Sequence, residues 1–166
     1  ARVTAALSKV ADRLDARALE ADPSAIGVLM ATAMMARDPG LTSSVRTHLE
    51  EGDGPAHALW GAIDDFCAQL TAAGGYLAER VTDLHNVRDR ALAVLQGLPE
   101  PGVPAFDSPV ILVAEDLAPA DTATLDPELV RGLVTAAGGP TSHTAILAAQ
   151  IGIPAVVRCP GIREVE

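Results

Sequence analysis

Pro99, Pro101, Gly102, Pro104 and Pro109 fall within the thirteen residues from Gly97 to Pro109. No helix tolerates that density, because proline removes a backbone donor and its ring clashes with the preceding turn. The stretch 98–109 therefore reads as a Pro-rich linker, and it divides the chain into two segments of different periodicity, 1–97 and 110–166.

The first segment is helical almost throughout. Val3, Leu7, Val10, Leu14 and Ala18 recur at three- and four-residue intervals and form one stripe. Ser24 is a candidate N-cap for a helix carrying Ile26, Leu29, Met30, Ala33 and Met34, and Asp38-Pro39-Gly40 stops it. A shorter helix is expected from about Thr42 to Glu51, and another after Gly52-Asp53-Gly54-Pro55 with Leu59, Ile63, Phe66 and Leu70 at helical spacing. The last runs from about Tyr76 to Gln96, and Gly74-Gly75 breaks the path before it, since glycine costs about 1 kcal/mol against alanine inside a helix.

The second segment alternates. Val110–Ala114 is an apolar β-branched run suited to a buried strand. A polar stretch (115–128), a strand at Leu133–Ala136, the Gly138-Gly139-Pro140 turn, a helix over Ser142–Gln150 and a strand at Ala155–Arg158 follow. Strand and helix alternating in this way predict a small α/β subdomain, so the whole is an α+β or α/β chain with an all-helical part beside it.

Composition narrows the function classes. Hydrophobic residues are 49% of the chain but aromatics only 2%, so the core is built of Ala, Leu, Val, Ile and Met, which favours close-packed helices. Twelve basic residues against 22 acids give a net charge of −10, which argues against a nucleic-acid partner and for a basic protein one. No apolar run approaches the roughly 20 residues needed to span a bilayer, and Ala1–Asp12 is an amphipathic charged segment rather than a signal peptide, so a cytoplasmic protein with no membrane association is expected. Cys67 and Cys159 have no metal or redox spacing, and both are expected to be buried small apolar residues.

Of four histidines, His48, His57 and His85 fall in or at the start of helices, where a surface or packed histidine is the ordinary reading. His143 follows the Gly138-Gly139-Pro140 turn and lies in the first turn of a helix beside Thr141, Ser142 and Thr144. Unpaired N–H groups and the positive end of the macrodipole suit such a place to a phosphoryl group, and neutral imidazole is a competent nucleophile. The three hydroxyls can donate to phosphoryl oxygens or cap the helix, and a plain capped helix with an incidental histidine remains the alternative. Thr122, after the Val110–Ala114 strand, is a candidate to orient the imidazole, or else the N-cap of a short turn. Asp116, Asp121, Asp126 and Glu128 have no paired spacing with a second histidine, so no metal site is expected, and no Gly-rich nucleotide loop is present.

The run Gly138-Gly139-Pro140-Thr141-Ser142-His143-Thr144-Ala145-Ile146-Leu147-Ala148, with Gly152-Ile153-Pro154-Ala155-Val156-Val157, resembles the phosphohistidine signature of the phosphoenolpyruvate-utilising enzymes. Three further stretches are similar to Enzyme I of the sugar phosphotransferase system: Tyr76–Arg80 with Asp83 and Val87-Arg88-Asp89-Arg90; Val110–Ala114 with Asp116–Thr122; and Met34–Pro39. The resemblance implies a helical subdomain that docks the phosphocarrier HPr, beside a small α/β phosphohistidine (swivelling) subdomain. It implies that His143 is phosphorylated in a loop including Gly138, Gly139, Thr141, Ser142 and Thr144. It further implies that Thr122 hydrogen-bonds His143 and that Met34, Met35, Leu77 and Arg80 lie on the HPr-binding face.

The implied activity is that of a phosphoenolpyruvate-protein phosphotransferase, with phosphoenolpyruvate and Mg²⁺ bound by a barrel domain outside this chain and the full-length enzyme a homodimer. The chain is expected to correspond to the N-terminal part, with its α/β subdomain incomplete at both chain ends. Many members carry arginines where this chain has Pro140 and Ala149; the proline looks like a variant of the motif, whereas Ala149 removes a cation that could steady the phosphoryl group. The alternatives are the phosphohistidine domain of a dihydroxyacetone kinase phosphoryl-donor subunit and a non-catalytic docking module.

Overall fold

The computed structural model describes residues 1–21, 23–78 and 80–164. Among these residues six helices precede the first strand: α1 (Arg2–Glu20), α2 (Pro23–Ala36), α3 (Pro39–Glu50), α4 (Pro55–Ala73), α5 (Gly75–Ala78) and α6 (Val81–Gln96). Then come β1 (Val110–Ala114), α7 (Pro119–Thr122), β2 (Val130–Thr135), α8 (His143–Gln150), β3 (Ala155–Val156) and a 3₁₀ turn over Pro160–Glu164. The chain forms two compact units, one of Ala1–Arg17 with Met30–Pro101 and the other of Ala18–Leu29 with Gly102–Glu166. Expected as part of the helical subdomain, Ala18–Leu29 groups with the α/β unit instead, because periodicity marks which residues share a helix face and not which body that face joins.

In the helical unit, Val3, Leu7, Val10 and Leu14 are buried as their spacing requires. Asp38, expected as part of a stop signal, also starts α3: its Oδ1 accepts from the Gly40 and Leu41 amides at 2.7 and 3.2 Å, with Pro39 at the first helical position. Leu59 and Ile63 put the buried face of α4 against α3 and α6. Gly74 and Gly75, at φ +71 and +54, end α4 and start the single turn of α5, so the expected helix over 76–96 is two helices. Ser24 lies inside the first turn of α2 rather than at its cap, and Glu79 is outside the described residues.

The Pro-rich stretch is irregular, yet both of its ends are fastened. Glu100 receives Arg13 Nη1 at 2.9 Å, Arg17 Nη2 at 3.5 Å, and Arg90, whose guanidinium is fully buried and also donates to Asn86 Oδ1 at 2.8 Å. Val103 and Phe106 pack against the core of the second unit, formed by Leu125, Val130, Leu133, Ala148 and Ile153.

That unit is a three-stranded parallel sheet of order β1-β2-β3. α8 makes the crossover between β2 and β3, and α7 with its flanking loops joins β1 to β2. Val110–Ala114 forms as expected, but Ile111 and Val113 are exposed, so β1 has one open face rather than being buried on both. β2 starts three residues earlier than expected, at Val130, and β3 is two residues long. Cys67 is buried as expected and Cys159 is only half-buried; both are free thiols. Among the described residues no helix is long and apolar enough to cross a membrane.

Candidate functional site

All three strands of the second unit run the same way, so their C-terminal ends release three loops on one edge of the sheet, the usual place for a site in a parallel α/β layer. The loop after β2 is stitched down by backbone bonds from its neighbours. The Ala136 amide donates to Ala114 O at 3.1 Å and the Ala137 amide to Glu115 O at 2.8 Å, both at the end of β1. Beyond β3, the Arg158 amide donates to Ala137 O at 3.3 Å and the Cys159 amide to Thr135 O at 3.0 Å. Thr135, buried, donates its hydroxyl to Ala137 O at 2.8 Å.

This scaffold sets up the turn before α8. Gly138 takes φ +82, a conformation a side chain rarely adopts, and a Cβ there would also stand 3.4 Å from Ser142 Oγ. The Ser142 amide donates to Gly139 O at 2.9 Å, and Ser142 Oγ caps α8 by accepting from the Ala145 amide at 3.2 Å. His143 is thereby the first residue of the helix. Its ring is half-buried and forms no hydrogen bond with any described residue, so its nitrogens are uncommitted. Thr141 is exposed at the mouth of the turn.

Thr144 was expected among the hydroxyls facing a phosphoryl group, and the structure uses it otherwise. It is buried, and its Oγ1 donates to Leu117 O at 2.9 Å and lies 3.3 Å from Asp116 Oδ1, which ties the start of α8 to the loop after β1. A threonine one position after the histidine faces inward on a helix whose outer side carries the ring, a placement the 3.6-residue period could have revealed. Thr122 is fully buried on α7, which packs against α8, and its Oγ1 donates to Ala118 O at 3.2 Å. It forms no hydrogen bond with His143 here. That donation leaves its oxygen lone pairs able to accept one from a ring N–H.

Two neighbours of the turn were given no role in it from the sequence. Asp116 Oδ1 accepts from the Leu117 amide at 2.8 Å and lies 3.8 Å from the Cβ position of Gly138. Arg158, with φ +58, also meets the turn, its Nε 3.4 Å from Gly138 O. Neither carries a spacing signal, because both reach the turn only through strand pairing.

The remaining predicted residues belong to the helical unit. Met34 is 71% exposed, Met35 half-buried and Leu77 exposed, so at least one of the adjacent methionines faces solvent as their spacing requires. Arg80 is largely buried and its Nη1 donates to Asp83 Oδ2 at 3.0 Å, which makes it a packed ion-pair member rather than an open surface cation. Among the other histidines, His48 is held between Asp53 (3.3 Å) and Asp65 (3.0 Å), and hydrogen bonding to Asp65 raises its pKa above the ordinary value. Among the described residues no group of three or more His, Cys, Asp or Glu side chains converges to hold a metal ion.

Known proteins resemble this chain along nearly its whole length. Residues 1–80 match the family model described as the N-terminal part of PEP-utilising enzymes, and residues 106–166 match the one described as their mobile domain. The phosphoenolpyruvate-protein phosphotransferase of Streptomyces coelicolor is 51% identical over 164 residues, which cover 99% of this chain and 30% of that protein. The protein of the same name from Haloferax volcanii is 41% identical over 120 residues, 72% of this chain and 21% of that one. The chain thus spans less than a third of the length of these relatives. An NMR solution structure of Enzyme I superposes with a TM-score of 0.75 at 30% identity, covering 97% of this chain and 67% of that one. With family models matching both parts of the chain and a relative 51% identical over nearly all of it, the chain belongs to the phosphoenolpyruvate-utilising enzymes, as a member of the Enzyme I family matching its N-terminal part.

Proposed function

We propose that this chain is the phosphohistidine and carrier-docking part of a cytoplasmic phosphoenolpyruvate-protein phosphotransferase, and that His143 takes up a phosphoryl group and exchanges it with the phosphocarrier HPr. The observation that carries the reading is the uncommitted imidazole of His143 at the first position of a Ser142-capped helix, on the edge where three parallel strands end. The lone pair of a neutral ring nitrogen forms the new N–P bond while the bond from phosphorus to the donor atom of the carrier breaks, and that bond's electron pair stays with the carrier. Amides of the turn and the hydroxyls of Thr141 and Ser142 are the groups available to the phosphoryl oxygens. Thr122 would fix the ring by accepting from its second nitrogen. Exposed Met34 and Leu77 supply adaptable apolar anchors for the carrier, on an acidic unit suited to a basic partner. Phosphoenolpyruvate, Mg²⁺ and homodimer formation belong, on this reading, to the part of the enzyme outside the chain.

The test is acid-labile labelling by phosphorylated HPr. The native chain should take up label, and His143→Ala should abolish it while substitutions at His48, His57 and His85 leave it. Label retained by the His143→Ala protein would refute the assignment.

A further inference from the structure

We infer that Arg158 is the cation that holds the phosphoryl group carried by His143, an inference that rests on the reading of His143 above. A phosphoryl group brings between about one and a half and two negative charges, and it arrives in a segment, 98–166, with three basic and nine acidic residues. One of those acids, Asp116, already borders the turn. Arg131 cannot serve. It stands near the start of β2, at the opposite end of the strand from the turn, donates to Pro127 O and lies 4.0 Å from Glu128. The side chain of Arg163 is outside the described residues.

Arg158 is placed differently. It follows β3 at the same strand ends that release the His143 turn, and its own amide bonds Ala137 O at the base of that turn. Nη2 lies 3.4 Å from where a Cβ on Gly139 would stand, which puts the guanidinium against the turn. The long contact from Nε to Gly138 O is its one side-chain hydrogen bond among the described residues, and it has no carboxylate partner among them. Most of its five N–H donors are therefore free, in the planar fork that matches phosphate oxygens. Residue 158 also has the only positive φ outside glycine among the described residues, at +58. Such an outlier invites a functional reading, and glycine would fit that backbone without strain.

The experiment compares native chain, Arg158→Gln, Arg158→Lys and Arg158→Gly, each labelled by phosphorylated HPr. Arg158→Gln keeps the backbone demand and removes the charge, and the labelling rate should fall roughly ten- to a hundred-fold, at or below the low end of what losing one donor to a developing oxyanion costs, because the site is open to water. Lysine, with charge but no fork, should lie between. Arg158→Gly should be equally slow, fold at least as stably as the native chain, and recover rate when low concentrations of guanidinium are added but not with sodium at the same ionic strength. A merely structural arginine would give no such rescue. Native-rate labelling of Arg158→Gln, in a background where His143→Ala abolishes label, would overturn the role of Arg158 and leave His143 standing. No labelling of the native chain at His143 would remove both.

Discussion

Glu100→Gln should destabilise the helical unit far more than the loss of any one of its surface partners. Arg90 is fully buried, and Glu100, with 16% of its side chain exposed, is a carboxylate that meets it. Breaking a buried pair by removing one partner costs about 3–5 kcal/mol. Glutamine keeps one acceptor oxygen, Asn86 still binds Nε, and Glu100 is partly wet, so about 2–3 kcal/mol is the reasoned cost here. Arg13, whose side chain is 40% exposed, touches the same carboxylate, and Arg13→Ala should cost under about 1 kcal/mol because an exposed pair is screened. Trp60 is the sole tryptophan and lies in the helical unit, with Arg88 stacked 4.0 Å from its ring, so its fluorescence in a urea titration reports this unit. Equal shifts for Glu100→Gln and Arg13→Ala, or a shift below about 1 kcal/mol for Glu100→Gln, would refute the argument that burial of Arg90 sets the cost.

Two other perturbations follow from the same structure. Thr144→Val removes the hydroxyl that donates to Leu117 O, and should cost about 1–2 kcal/mol in the α/β unit, followed by far-UV circular dichroism, and slow labelling of His143 by loosening the start of α8. The pKa of His48 is raised by its bond to Asp65 and then by Asp53, so its contribution is complete below the ordinary histidine value and is lost as pH rises through the higher folded value. The native unit should therefore lose thermal stability on that rise, and His48→Gln should flatten the profile; an unchanged profile would show that the two aspartates do not hold the protonated ring.

Legibility in the sequence divided by the range of the interactions. The α1 stripe, the Gly74-Gly75 break, β1 and the Ser142-His143 helix start are local patterns, set by side-chain period, backbone freedom and capping, and each was readable within ten residues or so. The position of His143 in the fold was likewise visible because a capped helix start is a local object. The roles of Thr144 and Arg90 were not. Thr144 looked like one more hydroxyl in a polar turn, yet its partner is a backbone carbonyl 27 residues earlier. Arg90 carried no sign of burial in its helix, and one of its partners is Glu100, in a stretch that composition marked only as a linker. Proline density correctly forbids helix there, but it says nothing about whether the segment is anchored.

The same distinction explains why the electrostatics of the turn could not be read along the chain. A phosphohistidine needs a nucleophile, donors aimed at its oxygens and some positive charge, and only the first two come with the local Gly-Gly-Pro-Thr-Ser-His pattern. Charge comes from whatever the neighbouring strand ends bring. Here β1 delivers Asp116 and β3 delivers Arg158, both close to Gly138. On the reading proposed for His143, a phosphoryl group there would repel the first and attract the second. Both side chains are exposed, whereas the backbone of the turn is stitched to the neighbouring strand ends. Replacing Asp116 by asparagine should then favour the phosphorylated state, seen as slower loss of label from His143 to unphosphorylated HPr. A faster loss would mean that Asp116 acts chiefly through its bonds to Leu117 and Thr144, holding the loop rather than setting its charge.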